Sequence, residues 1–138
     1  MFVADFIGAP PMSFLTVQAS PRRGDRTIKV DGVPIEIPEL FEDRAEGSFV
    51  LGVRPENVSF ADSAGLRGEV IGAEYLGTTQ IVTVTTRNGQ IKARLPSGNA
   101  VRIGENVGLA LRSDTLSLFD AVGGQALPSA LYARSRHG

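Results

Sequence analysis

The sequence contains no cysteine, and its single histidine, His137, is the next-to-last of 138 residues. Without cysteine there can be no disulfide, no zinc–thiolate site and no Cys nucleophile. One terminal histidine gives no basis for a His-centred triad or a multi-histidine metal site. Neither sign of charge is in excess: Lys+Arg is 14 against Asp+Glu 15, a net charge of -1. The chain as a whole therefore lacks the field that attracts nucleic acid or an anionic membrane. Seven Phe and two Tyr are scattered through apolar runs and form no base-stacking platform. No apolar run approaches the roughly 18 residues of a membrane span. The opening Met-Phe-Val-Ala-Asp-Phe carries Asp5 where a signal peptide has basic residues. These absences leave the expectation of a soluble, cytoplasmic globular domain and disfavour most ordinary enzyme chemistry. A chain of this length hides roughly two-thirds of its unfolded surface on folding, enough for one core without staples.

What is present points to strands. Gly 16 and Pro 8 punctuate short apolar runs rich in Val, Ile and Thr, whose branched side chains suit a pleated sheet. One segment has helical spacing instead. Phe2 and Phe6, and Val3 and Ile7, stand four apart and form one apolar face. Gly8 supplies a C-cap, and Pro10-Pro11 cannot continue a helix. This helix starts at residue 1 without an N-cap, so its true start is expected to lie upstream. From Met12 the period becomes two. Met12 to Ala19 reads as a strand. Thr27–Val30 and Val33–Ile37 flank Asp31-Gly32, a type I′ hairpin signal, with Pro34 confined to an edge. Residues 38–45 read as a helical turn or a loop, and Gly47–Val53 as a central strand. Leu66–Leu76 is a strand in which Gly68 and Gly72 mark bulges or bends. Gln80–Thr86 leads through Asn88-Gly89, read as a type I′ turn, into alternating Ile91, Ala93 and Leu95. Val107–Leu111 and Leu116–Phe119 close the set. Six to eight short strands with a turn about every ten residues predict an all-β fold. The expected form is a small OB-like β-barrel or sandwich of short antiparallel strands with a short N-terminal helix. Residues 1–11 form the helix and linker, 12–127 the domain, and 128–138 a tail in which Leu131 and Tyr132 could dock.

Few motifs carry chemistry. Gly72-Ala-Glu-Tyr-Leu-Gly77-Thr78-Thr79 mimics a phosphate loop, but Thr78 stands where the essential lysine belongs, and strand rather than helix follows. Glu36, Glu39, Glu42, Asp43 and Glu46 form a loose acidic run with nothing beside it to split carboxylate pKa values, so it reads as solvated surface. Arg22-Arg23-Gly24-Asp25-Arg26 lacks interleaved aromatics and reads as a loop. Asn57-Val58-Ser59 matches a glycosylation sequon that stays idle without secretion. In Gly52-Val53-Arg54-Pro55-Glu56, Pro55 ends a strand, and Arg54 and Glu56 would share a face in extended geometry. That arrangement is either an ion pair at a strand end or a contact to a neighbouring domain or subunit.

Four blocks in register carry a family resemblance. Residues Phe2 to Leu15 (FVADFIGAPPMSFL) resemble the junction after the ATPase domain in ATP-binding subunits of maltose-type sugar importers. Gly52-Val-Arg-Pro-Glu56, then Gly68-Glu-Val with Glu74-Tyr-Leu-Gly77-Thr-Thr-Gln80, then Leu118-Phe119-Asp120 with Gly124, resemble later blocks of the same subunits. Ser13 replaces the usual Asn, and Thr78-Thr79 occupy a stretch that often carries an acidic residue.

The resemblance implies the C-terminal regulatory, transport-associated OB (TOBE) domain of a carbohydrate-uptake ABC transporter. Such a domain packs on its own ATPase domain and meets its counterpart in the second ATP-binding subunit of a homodimer. Through the full subunit it is linked to the transmembrane permease, and in some members it receives regulatory proteins. No nucleic-acid partner is implied. The family-motif and interface candidates are Phe2, Phe6, Gly8, Pro10, Met12, Gly52, Arg54, Pro55, Glu56, Glu74, Leu76, Gly77, Gln80 and Phe119. No Walker A, Walker B, signature or switch-histidine motif occurs, so this chain is expected to be the non-enzymatic, regulatory piece of a transport ATPase. It would bind no cofactor itself, ATP and Mg belonging to the missing ATPase domain. The expected location is cytoplasmic, peripheral to the inner membrane. An alternative is an oxyanion-binding OB-type domain, with Thr78-Thr79 and Ser97-Gly98 as the visible donors.

Overall fold

The computed structural model describes residues 12–131. The helix expected over residues 2–8, with Phe2, Phe6 and Gly8, lies outside the described residues, as do Pro10 and Tyr132. Ten strands make up the described part: β1 Ser13–Ala19, β2 Thr27–Val30, β3 Val33–Glu36, β4 Gly47–Val53, β5 Val58–Phe60, β6 Arg67–Leu76, β7 Thr79–Thr86, β8 Gly89–Pro96, β9 Asn106–Leu111 and β10 Ser117–Asp120. They form antiparallel sheets ordered β1-β4-β10, β2-β3 and β5-β9-β6-β7-β8. This is the expected all-β, OB-like architecture, with more strands than the six to eight foreseen. Nine of the ten correspond to segments read as strands from sequence; the tenth is β5, which begins inside the sequon-like Asn57-Val58-Ser59 and is only three residues long. No helix among the described residues is long and apolar enough to cross a membrane.

Period-two alternation builds the core. In β1, Leu15 and Val17 point inward opposite Leu51 and Phe49 of β4, while Thr16 and Gln18 face solvent. In the larger sheet Val70, Val84 and Ile91 form one cross-strand row, all fully buried. These rows pack with Val30, Leu109, Leu116 and Leu127 into a single cluster shared by the sheets.

The sheets are tied where β1 crosses β8. The Lys92 backbone N–H donates to Ser13 Oγ at 2.9 Å, and Thr16 N–H donates to the Asn88 carbonyl at 2.9 Å. The Asn88 side-chain amide returns a bond to the Thr16 carbonyl at 2.7 Å. Further round, Pro128–Ala130, assigned from sequence to the tail, pair with Glu39–Phe41. Phe41 N–H donates to Pro128 O, Ala130 N–H donates to Glu39 O, and Leu40 forms a bridge with Ser129.

The turns test the glycine readings. At Asp31-Gly32 both central residues have positive φ, 53° and 76°, as the type I′ reading requires. Gly32→Val is expected to cost about 1–2 kcal/mol, because a β-branched residue is strained there although the space around it is empty. Urea unfolding checks this, with Asp31→Asn expected to be near neutral. Asn88-Gly89 corrects the second hairpin reading. Thr86 pairs with Gly89, so the tip is Arg87-Asn88. Of the two residues, only Gly89 has positive φ, at 136°. The Thr86 hydroxyl shapes this turn, accepting from Asn88 N–H and donating to Gly89 O. Asn88 serves the tie to β1 rather than a left-handed turn. The bulge in β6 falls between Val70 and Gly72, leaving Ile71 as the extra residue. Gly68 is not a bulge. It is a close approach, since a Cβ there would lie 2.5 Å from Val84 Cγ1 and 2.7 Å from Thr85 O.

Candidate functional site

The motif residues gather in two places. The first is the outer face of the β1-β4-β10 sheet, away from the main core. Phe14 and Ser117 flank Gly52 in register, and Val50 lies between Thr16 and Phe119. Met12, Phe14, Val50 and Phe119 pack together there with Ala121 and Ala126. The Phe14 and Phe119 rings meet edge-to-face, centroids 6.2 Å apart at 80°. Gly52 makes this possible, because a Cβ would stand 2.7 Å from Met12 Sδ and 2.8 Å from Phe119 Cε2. Three motif blocks far apart in the chain thus meet at one glycine. Antiparallel sheets commonly solvate one face; this one carries an apolar cluster on its outer face as well, at the Gly52 end, while Thr16 and Gln18 keep the other end polar.

The chain leaves that face through Arg54-Pro55-Glu56. Arg54 is extended and half-buried, but Pro55–Asn57 form a 3-10 turn with Pro55 buried and Glu56 exposed. The strand-face argument for Arg54 and Glu56 therefore does not apply, since extended geometry stops at Arg54. The turn is held by Asn57 N–H on Arg54 O and by Arg112 N–H on Asn57 O.

Asp120 closes the block that begins at Leu118. One of its carboxylate oxygens accepts from Val122 N–H at 2.8 Å and Gly123 N–H at 3.3 Å, while Gly124, at φ 73°, donates to its carbonyl. These backbone donors, with Arg44 at 3.7 Å, hold the Asp120 carboxyl below its ordinary value. Arg44 is itself raised by its hydrogen bond to Glu42. A depressed carboxylate contributes stability that is present above the unfolded value, near pH 4, and is lost as pH falls through the folded value. Asp120→Ala should therefore melt below the parent at neutral pH, with the gap narrowing below about pH 4. A thermal melt series in pH reads this directly.

The second place is the β6–β7 hairpin. Leu76 pairs with Thr79, and Gly77 takes positive φ at 81° as the first of two loop residues, the Gly-X pattern of a type II′ turn. The phosphate-loop reading ends here, because strand leads into strand and no helix N-terminus is presented. Glu74, Tyr75, Leu76 and Gly77 are all exposed, whereas Gln80 is fully buried. Both donors of the Gln80 amide are spent on carbonyls, Pro96 O at 3.1 Å and Asn99 O at 2.6 Å, while its Oε1 has no partner. Gln80 thus anchors the loop after β8.

The oxyanion alternative finds little here. Ser97 N–H is taken by Thr78 O. Clefts of about 340 Å³ beside Pro21 and Arg22, and one of about 640 Å³ lined by Asp31, Arg67 and Arg87 among others, include none of Thr78, Thr79, Ser97 and Gly98. In the last cleft Arg67 is already committed to Asn106 Oδ1 and Asp62 O. No cluster of metal-ligating side chains occurs among the described residues. Sequence reasoning passed over Phe14, Val50 and Tyr75. The unbroken apolar run of β4 was the available signal for the first two, since a strand buried on both faces shows no alternation.

Comparison with known proteins agrees with the geometry. The TOBE domain family matches residues 51–119. The sn-glycerol-3-phosphate import ATP-binding protein UgpC of Chromobacterium violaceum is 33% identical over 122 residues, covering 87% of this chain and 33% of that protein. The osmoprotective compounds uptake ATP-binding protein GgtA of Synechocystis is 30% identical over 98 residues, covering 71% and 26%. An uncharacterized ABC transporter ATP-binding protein of Bacillus subtilis, YurJ, is 29% identical over 134 residues, covering 88% and 36%. The chain spans about a third of the length of these relatives.

Proposed function

The chain belongs to the TOBE domain family, and from that premise we propose that it is the C-terminal regulatory domain of the ATP-binding subunit of an ABC importer for a sugar or related polar solute. The observation that carries this reading is the second apolar face around Gly52, where Met12, Phe14, Val50 and Phe119 converge. Met12 is also where residues 1–11 join the described domain. The matched relatives are whole ATP-binding subunits, and this segment resembles the connection to their ATPase domain. A sheet that is apolar on both sides at the point of entry suits packing between domains. On this reading the domain itself hydrolyses nothing, and ATP and Mg are bound by the ATPase domain to which it belongs. Its partners are that ATPase domain, the paired ATP-binding subunit and, through the subunit, the permease at the cytoplasmic side of the inner membrane.

A graft tests this. Residues 12–131 replace the matching region of the Chromobacterium violaceum subunit, and solute uptake and ATPase activity are measured. The graft is expected to support both well above a subunit truncated before that region. Uptake no better than the truncation sinks the reading. A Gly52→Val graft should lose most of the gain, because its side chain would displace Met12 and Phe119.

A further inference from the structure

Four asparagines stand in the chain, and only Asn88 precedes a glycine. That pair is chemically the weakest of the four, because glycine has no side chain to keep its backbone nitrogen from the preceding amide. In an unconstrained chain the Gly89 nitrogen gives up its proton and attacks Asn88 Cγ. The new N–C bond closes a five-membered imide, and Nδ2 leaves as ammonia. Water then adds to one of the two ring carbonyls and breaks its bond to nitrogen. The product is aspartate or, when the chain is rerouted through the side chain, isoaspartate. In the fold, however, β1 runs across this peptide. Thr16 N–H donates to the Asn88 carbonyl at 2.9 Å, and Asn88 Nδ2 donates to the Thr16 carbonyl at 2.7 Å. A Cβ on Gly89 would stand 2.9 Å from Phe14 O, so β1 also covers the glycine. Asn88 is half-buried, and its Oδ1 is enclosed without a hydrogen-bond partner.

We propose that Asn88 is a site of spontaneous covalent modification gated by β1: it converts to aspartate or isoaspartate when β1 lifts from the β7–β8 tip, and the product keeps β1 from returning. The gate follows from the geometry of attack. Bringing Cγ against the Gly89 nitrogen turns both the Asn88 side chain and the peptide that follows it. The first movement breaks the bond to Thr16 O, and the second breaks the bond from Thr16 N–H. β1 can lift here without leaving its own sheet. The N–H and C=O of Thr16 point to Asn88 and away from Val50, its partner on β4. The lock follows from charge. Exchanging the amide for a carboxylate removes the Nδ2 donor and sets an acceptor against the Thr16 carbonyl. The other oxygen takes the place of Oδ1, where no donor meets it and a charge is costlier still. Isoaspartate also adds a carbon to the main chain before Gly89, which disturbs its pairing with Thr86. The consequence reaches the outer sheet face, because β1 carries Phe14 of the cluster around Gly52. The modification does not depend on the functional reading above.

Peptide mapping by mass spectrometry follows Asn88 in the 138-residue chain at neutral pH, folded and in denaturing guanidinium chloride, with isoaspartate identified by fragmentation. The folded chain is expected to convert about tenfold or more slowly than the unfolded one. Thr16→Pro removes the N–H bonded to Asn88 O without touching the β4 ladder, and is expected to restore most of the unfolded rate. Amide exchange in the parent separates local from global opening. Across sub-denaturing guanidinium concentrations, conversion is expected to follow the Thr16 amide, which opens with β1, and not the amide of the fully buried Val84. Asn88→Asp, made as a substitution, tests the lock. It is expected to speed Thr16 exchange about tenfold or more while Val84 exchange stays as in the parent. Equal conversion rates in the folded and unfolded chain would overturn the gate. So would conversion that tracks Val84, or a folded Thr16→Pro chain that converts no faster than the parent. An Asn88→Asp chain whose Thr16 amide is as protected as the parent's would overturn the lock.

Discussion

Gly108→Ala should unfold the chain at a midpoint about 10 °C below the parent, corresponding to a loss of about 3 kcal/mol. A Cβ at Gly108 would collide with the Ala61 carbonyl oxygen and crowd Arg67 Nη1. The obstacle is main chain, so no rotamer change relieves it. Ala61 N–H is bonded to Gly108 O at 2.9 Å, and Leu109 N–H to Leu66 O at 2.8 Å, so any shift of β9 loosens its contacts with both β5 and β6. Those two strands flank β9 at one side of the larger sheet, where Val58 of β5 and Leu109 of β9 enter the core. Gly72→Ala is the matched control. It lies in β6, a Cβ there meets nothing within 4 Å, and its φ is outside the left-handed region. It should change stability by less than about 0.5 kcal/mol. Equal losses for the two glycines in a thermal melt would refute the steric account.

Gln80→Leu is expected to cost about 2–3 kcal/mol although it keeps most of the volume, and Gln80→Ala somewhat more. The Gln80 amide is the donor for Pro96 O and Asn99 O, and leucine leaves both carbonyls without it. Alanine adds a cavity beside Leu95, its neighbour across the ladder. The unpaired Oε1 tempers the loss, because removing an unsatisfied buried acceptor is itself favourable. If the residue instead served a partner directly, Gln80→Leu would leave the melting midpoint unmoved and impair only the grafted transporter. Unfolding in urea, with exchange at the Ser97–Asn99 amides as the local readout, distinguishes these outcomes.

The four motif blocks differ in what they do, and spacing could not reveal this. Gln80 and Gly77 sit three apart in one motif, yet the first is a buried anchor and the second an exposed turn residue. Arg54 and Glu56 look like a strand-face pair until Pro55 starts a 3-10 turn. Asn88-Gly89 has the composition of a type I′ turn. The hydroxyl of Thr86 and the pull of β1 on the Asn88 amide shift the tip by one residue. At Asn88 a contact from elsewhere in the chain, the Thr16 carbonyl, outweighs a local preference of about 1 kcal/mol, whereas at Arg54 and Glu56 the intervening Pro55 decides.

Composition and period determined the class by themselves. Branched side chains alternating at period two, broken by glycine and proline, can bury a face only as antiparallel strands, and the Asp31-Gly32 turn follows from positive φ alone. The lack of cysteine likewise excluded disulfides, zinc–thiolate sites and a Cys nucleophile. Tertiary structure alone decided that the β1-β4-β10 sheet carries a second apolar cluster on its outer face, because that depends on Met12, Gly52 and Phe119 meeting across more than 100 residues of sequence. It also decided that, among the described residues, 72–76 of β6 pair with β7 alone. Strand order and the bulge at Ile71 set where β9 departs, and a strand's own residues carry no record of how many neighbours it has.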